Sequence, residues 1–256
     1  MPTIDPYSVS TVPLEMYFEQ THLSVGTGFL WQEQEAFYLI TNWHNVTGRD
    51  PFSGKHLSKT AGEPNRLRVW WNQKDNLGNK FAEFVPIRDG DSIPLWFIHP
   101  KHGNQVDIVA LPVNRPAGAD MHPINKMESD NLTLQVGMDV FVLGYPFAIG
   151  PGGFPIWKRG SIASEPEILD AIRPYFLIDT ASRPGMSGSP VIRRSWGTHQ
   201  LQGGNLMLGG RSIATKFVGV YSGRLATDDA NDAQLGMAWP ARFIQEIIDS
   251  GKRDTL

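Results

Sequence analysis

The segment Asp179-Thr180-Ala181-Ser182-Arg183-Pro184-Gly185-Met186-Ser187-Gly188-Ser189-Pro190-Val191-Ile192 places a Gly-x-Ser-Gly-Ser-Pro motif between two apolar runs. Those runs, residues 175–178 and 191–192, predict two strands, so Ser187 is expected on the tight turn between them. Glycine on each side permits backbone dihedrals closed to other residues and lets a ligand approach closely. Such a turn can supply a nucleophilic hydroxyl together with N–H groups for an oxyanion. Glycine and serine are also common in ordinary turns, so the motif alone leaves a purely structural turn as an equal alternative.

A serine nucleophile needs a base, and the base needs an orienting acid. Among the seven histidines, only His44 closes an apolar run, at a point where a strand is expected to give way to a short turn or helix. Asp107 stands at the mouth of the apolar run 108–112, where a charge is costly to bury unless it is paired. Taken singly, each residue has an ordinary surface interpretation. Their order along the chain, His, Asp, Ser, favours a shared role.

Composition limits the classes of function. The 256 residues, 41% hydrophobic and 19% charged, fit one large domain or two small ones with a buried core. A net charge of -3 gives no basic face for nucleic acid, and no apolar run is long enough to span a membrane, so we expect neither as a partner. The absence of cysteine excludes disulfides and thiolate chemistry. Together with an N-terminus unlike a secretory signal, it favours a cytoplasmic location.

The pattern of short segments predicts an all-β chain. Apolar runs of strand length follow one another with turn signals between them, which is typical of a sandwich or barrel. Residues 75–79 (DNLGN) lie between two alternating runs and predict a hairpin. The only segment with helical periodicity is 241–250, where the apolar residues form one stripe. No His-x-x-x-His pair or clustered carboxylate–histidine set is present, so we expect no metal and no cofactor.

Six short motifs resemble, in order, those of the chymotrypsin-like (trypsin-fold) serine peptidases. The similarity is greatest to bacterial branches without disulfides, related to the HtrA proteases and glutamyl endopeptidases. The motifs occupy residues 26–29 (GTGF), 39–44 (LITNWH), 106–111 (VDIVAL), 142–146 (VLGYP), 185–190 (GMSGSP) and 218–220 (VGV). The resemblance implies two antiparallel six-stranded Greek-key β-barrels with a C-terminal helix.

The same resemblance implies a division of the chain. It gives an N-terminal arm (1–19), a first barrel (20–115), an inter-barrel connection (116–130), a second barrel (131–240) and a C-terminal helix with tail (241–256). Residues 1–13 are rich in Pro, Ser and Thr, so we expect the arm to be irregular there.

By resemblance, the chain is a serine endopeptidase that acts on a protein or peptide substrate through an acyl-enzyme. His44 is then the general base, Asp107 its orienting acid and Ser187 the nucleophile. The backbone N–H groups of Gly185 and Ser187 form the oxyanion hole. The substrate pocket is implied at Ala181, Ser182, Tyr221, Ser222, Gly223 and Arg224, and the Ser222 hydroxyl is also placed within reach of the Asp107 carboxylate.

Three departures limit what the resemblance implies. Met186 stands where digestive members carry the acid that pairs with a new N-terminus after cleavage. Tyr221 replaces the pocket histidine of glutamyl endopeptidases, and Ala181 the acid of trypsin-type pockets. Neither a strict Glu preference nor a Lys/Arg preference is therefore expected. Two other classes stay open: a catalytically inactive peptide-binding scaffold of the same fold, and a non-enzymatic β-barrel binding module.

Overall fold

Antiparallel strands dominate both halves of the chain in the computed structural model, which describes residues 4–168, 174–208, 212–224 and 234–256, with Arg224 described by its backbone alone. The predicted all-β class with a C-terminal helix is confirmed. Three short or medium helices accompany the strands: α1 (Pro6–Val9), α2 (Trp43–Thr47) and α3 (Arg242–Ser250). Within the described ranges, no helix has the length and apolar character needed to cross a bilayer.

The first half of the chain forms a seven-stranded sheet. Its strands are β1 (Thr11–Phe18), β2 (Thr21–Glu33), β3 (Ala36–Thr41), β4 (Arg66–Gln73), β5 (Lys80–Pro86), β6 (Val109–Val113) and β7 (Ala119–Asp120). Hydrogen-bonded neighbours run in the order β5-β4-β1-β2-β3-β6, and β7 pairs with β4. The hairpin predicted at residues 75–79 is confirmed, because β4 and β5 pair on either side of it.

The second half forms a closed six-stranded barrel in the order β10-β15-β14-β11-β8-β9. These strands are β8 (Asp139–Gly144), β9 (Ile156–Ile162), β10 (Phe176–Asp179), β11 (Pro190–Trp196), β14 (Ile213–Arg224) and β15 (Leu235–Pro240). A separate two-stranded hairpin, β12 (His199–Gln200) with β13 (Leu206–Met207), follows β11. Closure matters because it leaves this sheet without an unpaired edge and gives the turn before β11 a rigid base.

The apolar core consists of three clusters, one in each half and one between them. The middle cluster joins the first sheet, the second barrel and α3, through buried residues such as Phe29, Ile40, Ile192, Trp239 and Ile244. The predicted stripe of α3 faces this cluster, and the helix ends at Gly251 in the left-handed conformation (φ 56°), as expected for a C-terminal glycine. The two halves therefore share one buried apolar interface.

The N-terminal segment differs from the irregular backbone expected over residues 1–13. Residues 6–9 form α1 and residues 11–18 form β1, which lies in the sheet between β2 and β4. The α1 side chain Tyr7 and the alternating β1 side chains Val12, Leu14 and Met16 are all buried. Burial of this apolar area outweighs the weak local propensity of a segment rich in Pro, Ser and Thr.

The C-terminal tail is anchored to the first sheet through Asp254. Its buried carboxylate accepts hydrogen bonds from the indole N–H groups of Trp43 at 2.7 Å and Trp96 at 3.0 Å. We expect Asp254→Ala to lower the free energy of unfolding by about 3 kcal/mol, since two buried donors lose their acceptor. Urea denaturation measures this loss. Asp254→Asn, which keeps an acceptor oxygen, should lose less, and the exposed Asp249→Ala should change little; equal losses in all three would contradict the assignment.

Candidate active site

His44 and Asp107 meet because their strands are neighbours. β3 pairs with β6 antiparallel, with Thr41 opposite Val109, so the residues just after β3 and just before β6 lie at the same edge. There the His44 Nδ1 is 2.6 Å from Asp107 Oδ2, and the His44 backbone N–H donates to Asp107 Oδ1 at 2.9 Å. Helix α2 begins here, as the predicted short turn or helix after the strand. Both the backbone N–H and the ring of His44 are thus held by the carboxylate of Asp107.

Asp107 is fully buried, and its charge is compensated. Besides the two bonds from His44, the Ser222 hydroxyl of β14 donates to Asp107 Oδ2, as expected from the sequence resemblance. The Asn42 side chain donates to the Asp107 carbonyl at 2.7 Å. Donors on both oxygens offset the cost of burying this carboxylate. The His44 side chain is 15% exposed, so its ring links a buried acid to the protein surface.

The loop before β11 carries Ser187 on a turn that glycine makes possible. Gly185 (φ 93°) and Gly188 (φ 85°) adopt the left-handed region, and a Cβ at Gly185 would overlap the Tyr145 carbonyl oxygen. The turn is closed by Met186 N–H donating to Arg183 O at 3.2 Å and Ser189 N–H to Met186 O at 3.1 Å. The predicted tight turn with Ser187 at its centre is present.

Two amides of this loop are left without an acceptor. The N–H groups of Met186, Gly188 and Ser189 all donate to carbonyl oxygens. Within the described part of the chain, those of Gly185 and Ser187 donate to none. Backbone N–H groups without partners are rare away from solvent and usually indicate a place for a ligand. These are the two amides that the sequence assigns to an oxyanion hole.

Ser187 lies beside the His44–Asp107 pair but is not hydrogen-bonded to it. A Cβ added at Gly223, the residue after Ser222, would lie 3.6 Å from Ser187 Oγ, so the hydroxyl faces β14 next to the serine that binds Asp107. On the other side, the Asn45 amide, one residue after His44, donates to the Ser187 carbonyl at 3.2 Å. Between described residues no hydrogen bond joins His44 to the Ser187 hydroxyl.

The residues assigned to the substrate pocket occupy two adjacent segments. Ala181 and Ser182, both half-buried, precede the nucleophile loop. Tyr221 in β14 is buried, and it pairs with that loop through Gly188 N–H to Tyr221 O at 2.9 Å and Tyr221 N–H to Ser189 O at 2.8 Å. Burial raises the pKa of Tyr221, an effect that the nearby Ser182 side chain partly offsets. The phenol is therefore neutral at physiological pH. Arg224 ends β14, and its side chain lies outside the described part.

Sequence reasoning missed the polar residues that hold these parts together. Thr27, Thr41, Asn42 and Asn45 are all buried, and each donates a side-chain hydrogen bond to the site or to another of these four residues. A signal was available, since Thr27 is a polar residue that lies just before the apolar run of β2. The carbonyl to which its hydroxyl donates lies 158 residues away, so nothing local identifies it.

Two buried serines allow a direct stability test at the site. The Ser222 hydroxyl donates to the Asp107 carboxylate, whereas the buried Ser189 hydroxyl has no partner in the described part of the chain. We expect Ser222→Ala to lower the free energy of unfolding by about 2 kcal/mol, because hydrogen bonds to charged groups contribute more than neutral ones. Ser189→Ala should change it by less than about 0.5 kcal/mol. Chemical denaturation of both variants gives the comparison, and a loss at Ser189 as large as at Ser222 would be inconsistent with this geometry.

Among the residues that the structure describes, no three His, Asp or Glu side chains lie close enough together to hold a metal ion. The site combines the half-buried Ser187, an imidazole bonded to a buried carboxylate, and two amides that donate to no acceptor among the described residues.

Comparison with known proteins gives the same picture at the level of family and fold. A family model described as a trypsin-like peptidase domain matches residues 26–197. A serine endoprotease of Yersinia pestis superposes with a TM-score of 0.54 at 14% identity, covering 98% of this chain and 67% of that one. A thermostable serine protease, AL20, from an extremophilic microorganism gives 0.53 at 11% identity, covering 97% and 99%. No curated protein matches the chain in sequence. At these identities the structural similarities establish the fold alone.

Proposed function

Because this chain belongs to the trypsin-like peptidase family, we propose that it is a serine endopeptidase with His44, Asp107 and Ser187 as its catalytic triad. The observation that carries the proposal is the 2.6 Å contact between His44 Nδ1 and the buried carboxylate of Asp107. That bond fixes the imidazole with Nδ1 protonated, which leaves Nε2 unprotonated and able to act as a base.

In the proposed reaction, Ser187 Oγ attacks the carbonyl carbon of the substrate while His44 Nε2 takes the hydroxyl proton. Asp107 stabilises the imidazolium that forms. The negative charge on the tetrahedral oxygen is bound by the N–H groups of Gly185 and Ser187, the two amides that have no acceptor among the described residues. The carbon–nitrogen bond then breaks, His44 returns its proton to the leaving amine, and water hydrolyses the acyl-enzyme by the same steps.

The Ser187 hydroxyl must turn toward His44 for this reaction. Catalytic hydrogen bonds are often long or poorly aligned before substrate binds, and a serine side chain changes rotamer at little cost. The backbone of Ser187 is already fixed against α2 by Asn45. The proposal therefore requires the Ser187 side chain to reorient while its backbone stays in place.

We propose that the substrate side chain next to the cleaved bond enters between Ala181–Ser182 and Tyr221–Arg224. The described side chains here carry no charge, since Tyr221 is neutral and Ala181 and Ser182 are not ionisable. With Tyr221 and Ala181 at these positions, we expect neither a strict Glu preference nor a Lys/Arg preference. Incubation with a diverse peptide mixture, with cleavage sites identified by mass spectrometry, tests both the activity and this preference; predominant cleavage after Glu, Lys or Arg would contradict the assigned pocket.

One observation favours a second candidate, a catalytically inactive peptide-binding protein of the same fold. It is the missing hydrogen bond between His44 and the Ser187 hydroxyl. The peptide-mixture experiment separates the two candidates, because an inactive scaffold retains peptides without producing new termini.

A further inference from the structure

Thr27 of β2 makes two hydrogen bonds to the loop segment 185–187. This segment carries the two amides that donate to no acceptor among the described residues. The Thr27 hydroxyl donates to the Gly185 carbonyl at 2.7 Å, and the Thr27 backbone N–H donates to the Ser187 carbonyl at 2.8 Å. These carbonyls flank Met186 on either side. A single fully buried residue of the first sheet therefore fixes the turn that belongs to the second barrel.

The Thr27 hydroxyl has a single orientation available to it. It accepts a hydrogen bond from the Tyr145 N–H at 3.1 Å, so its own proton is directed to Gly185. The Thr27 carbonyl accepts from the Thr41 hydroxyl at 2.8 Å, and Thr41 Oγ1 in turn accepts from Asn45 at 2.9 Å. Thr27, Thr41, Asn45 and Tyr145 are all buried, and hydrogen-bonded polar groups in a buried network rigidify a structure.

The position of the amides depends on these carbonyls. The Gly185 N–H lies on the peptide just before the one that Thr27 Oγ1 holds. The Ser187 N–H lies on the peptide just before the one that Thr27 N–H holds. The peptide after Gly185 is held at both ends: its carbonyl accepts from the Thr27 hydroxyl, and its N–H, that of Met186, donates to Arg183 O. Since Gly185 has no side chain to restrict it, loss of the Thr27 hydroxyl leaves this peptide with one of its two contacts. Donors that stabilise an oxyanion must be held in place before the reaction to be effective.

We propose that Thr27 is a positioning residue for the oxyanion hole, acting through the Gly185 carbonyl. The inference rests on the proposed peptidase function and adds to it a residue that touches neither substrate nor the reacting atoms. The proposal explains why the hydroxyl of Thr27 is fully buried within β2. It also predicts a defect in the chemical step rather than in substrate binding.

The test compares Thr27→Val, which keeps the shape and removes the donor, with Thr27→Ser, which keeps the donor. The matched control is Thr215→Val, a buried threonine of β14 whose hydroxyl contacts Arg194 instead of the nucleophile loop.

For the peptide of the mixture that is cleaved fastest, we expect Thr27→Val to lower kcat by about 10- to 100-fold, less than the ~10²–10³-fold loss for complete removal of an oxyanion donor. KM should change by less than about twofold, because only the transition state uses the donor. The rate constant for labelling by a fluorophosphonate should fall in parallel.

Thr27→Ser should restore kcat to within about threefold of wild type, and Thr215→Val should leave it unchanged. If Thr27→Val does not fold, Thr27→Ala removes the same hydroxyl without adding a methyl group next to Tyr145 N–H, and the same kcat loss is expected. Wild-type kcat in a folded Thr27→Val or Thr27→Ala, or a Thr27→Ser as impaired as Thr27→Val, would overturn the role of Thr27 alone. An unreactive wild-type protein would instead overturn the peptidase proposal on which it rests.

Discussion

Replacing Ser187 by alanine is expected to lower kcat for peptide-bond hydrolysis by about a millionfold, since the other triad members cannot act without the nucleophile. The remaining rate would come from the oxyanion donors and substrate binding. Binding of peptide should persist, because neither the Gly185 turn nor the Tyr221 strand depends on the hydroxyl. Initial rates on the preferred peptide, with thermal unfolding to verify the fold, measure the effect.

The chain supplies matched controls for Ser187. Ser189 lies two residues further on, and its buried hydroxyl has no hydrogen-bond partner among the residues that the structure describes; Ser182 lies before the turn. Ser189→Ala and Ser182→Ala should each retain activity within about tenfold of wild type, since neither hydroxyl is placed to attack. A Ser187→Ala protein that cleaves at the wild-type rate would show that the nucleophile is elsewhere.

Asp107→Asn is expected to lower kcat by about 10⁴-fold with little change in KM. An amide in place of the carboxylate cannot stabilise the imidazolium, and it disfavours the tautomer in which His44 Nε2 is the base. The substrate pocket residues do not contact Asp107 except through Ser222, so ground-state binding should survive. Steady-state kinetics separates the two constants.

Asp254→Asn is the control for this change, because it converts another buried aspartate, whose N–H donors are the indole rings of Trp43 and Trp96 and not the His44 ring. It should leave kcat within about tenfold of wild type. If Asp107→Asn were as active as Asp254→Asn, the carboxylate of Asp107 would have only a structural role.

Local sequence signals were sufficient to predict the all-β class, the hairpin at residues 75–79 and the terminal helix. The contact of His44 with Asp107 could be anticipated in the same way, because each residue ends or begins an apolar run and the two runs became paired strands. Short motifs at strand ends are informative since their neighbours are set by the strands themselves.

Other features depend on contacts between distant parts of the chain and left no local signal. The Thr27 hydroxyl donates to a carbonyl 158 residues away. Asp254 lies in a tail without an apolar pattern, yet its carboxylate accepts hydrogen bonds from two buried tryptophans. The helix α1 and the first residues of β1 fall within residues 1–13, where prolines, serines and threonines predict irregular backbone. In each case tertiary packing decides the structure, and propensity alone predicts an irregular segment.

The most direct test of the proposed site is to find where a fluorophosphonate attaches. After reaction of the folded wild-type protein, digestion and tandem mass spectrometry should locate one adduct, on Ser187, and His44→Ala should abolish it because the hydroxyl then lacks its base. An adduct on any other residue, or a folded wild-type protein that forms no adduct, would contradict the assignment of Ser187 as nucleophile.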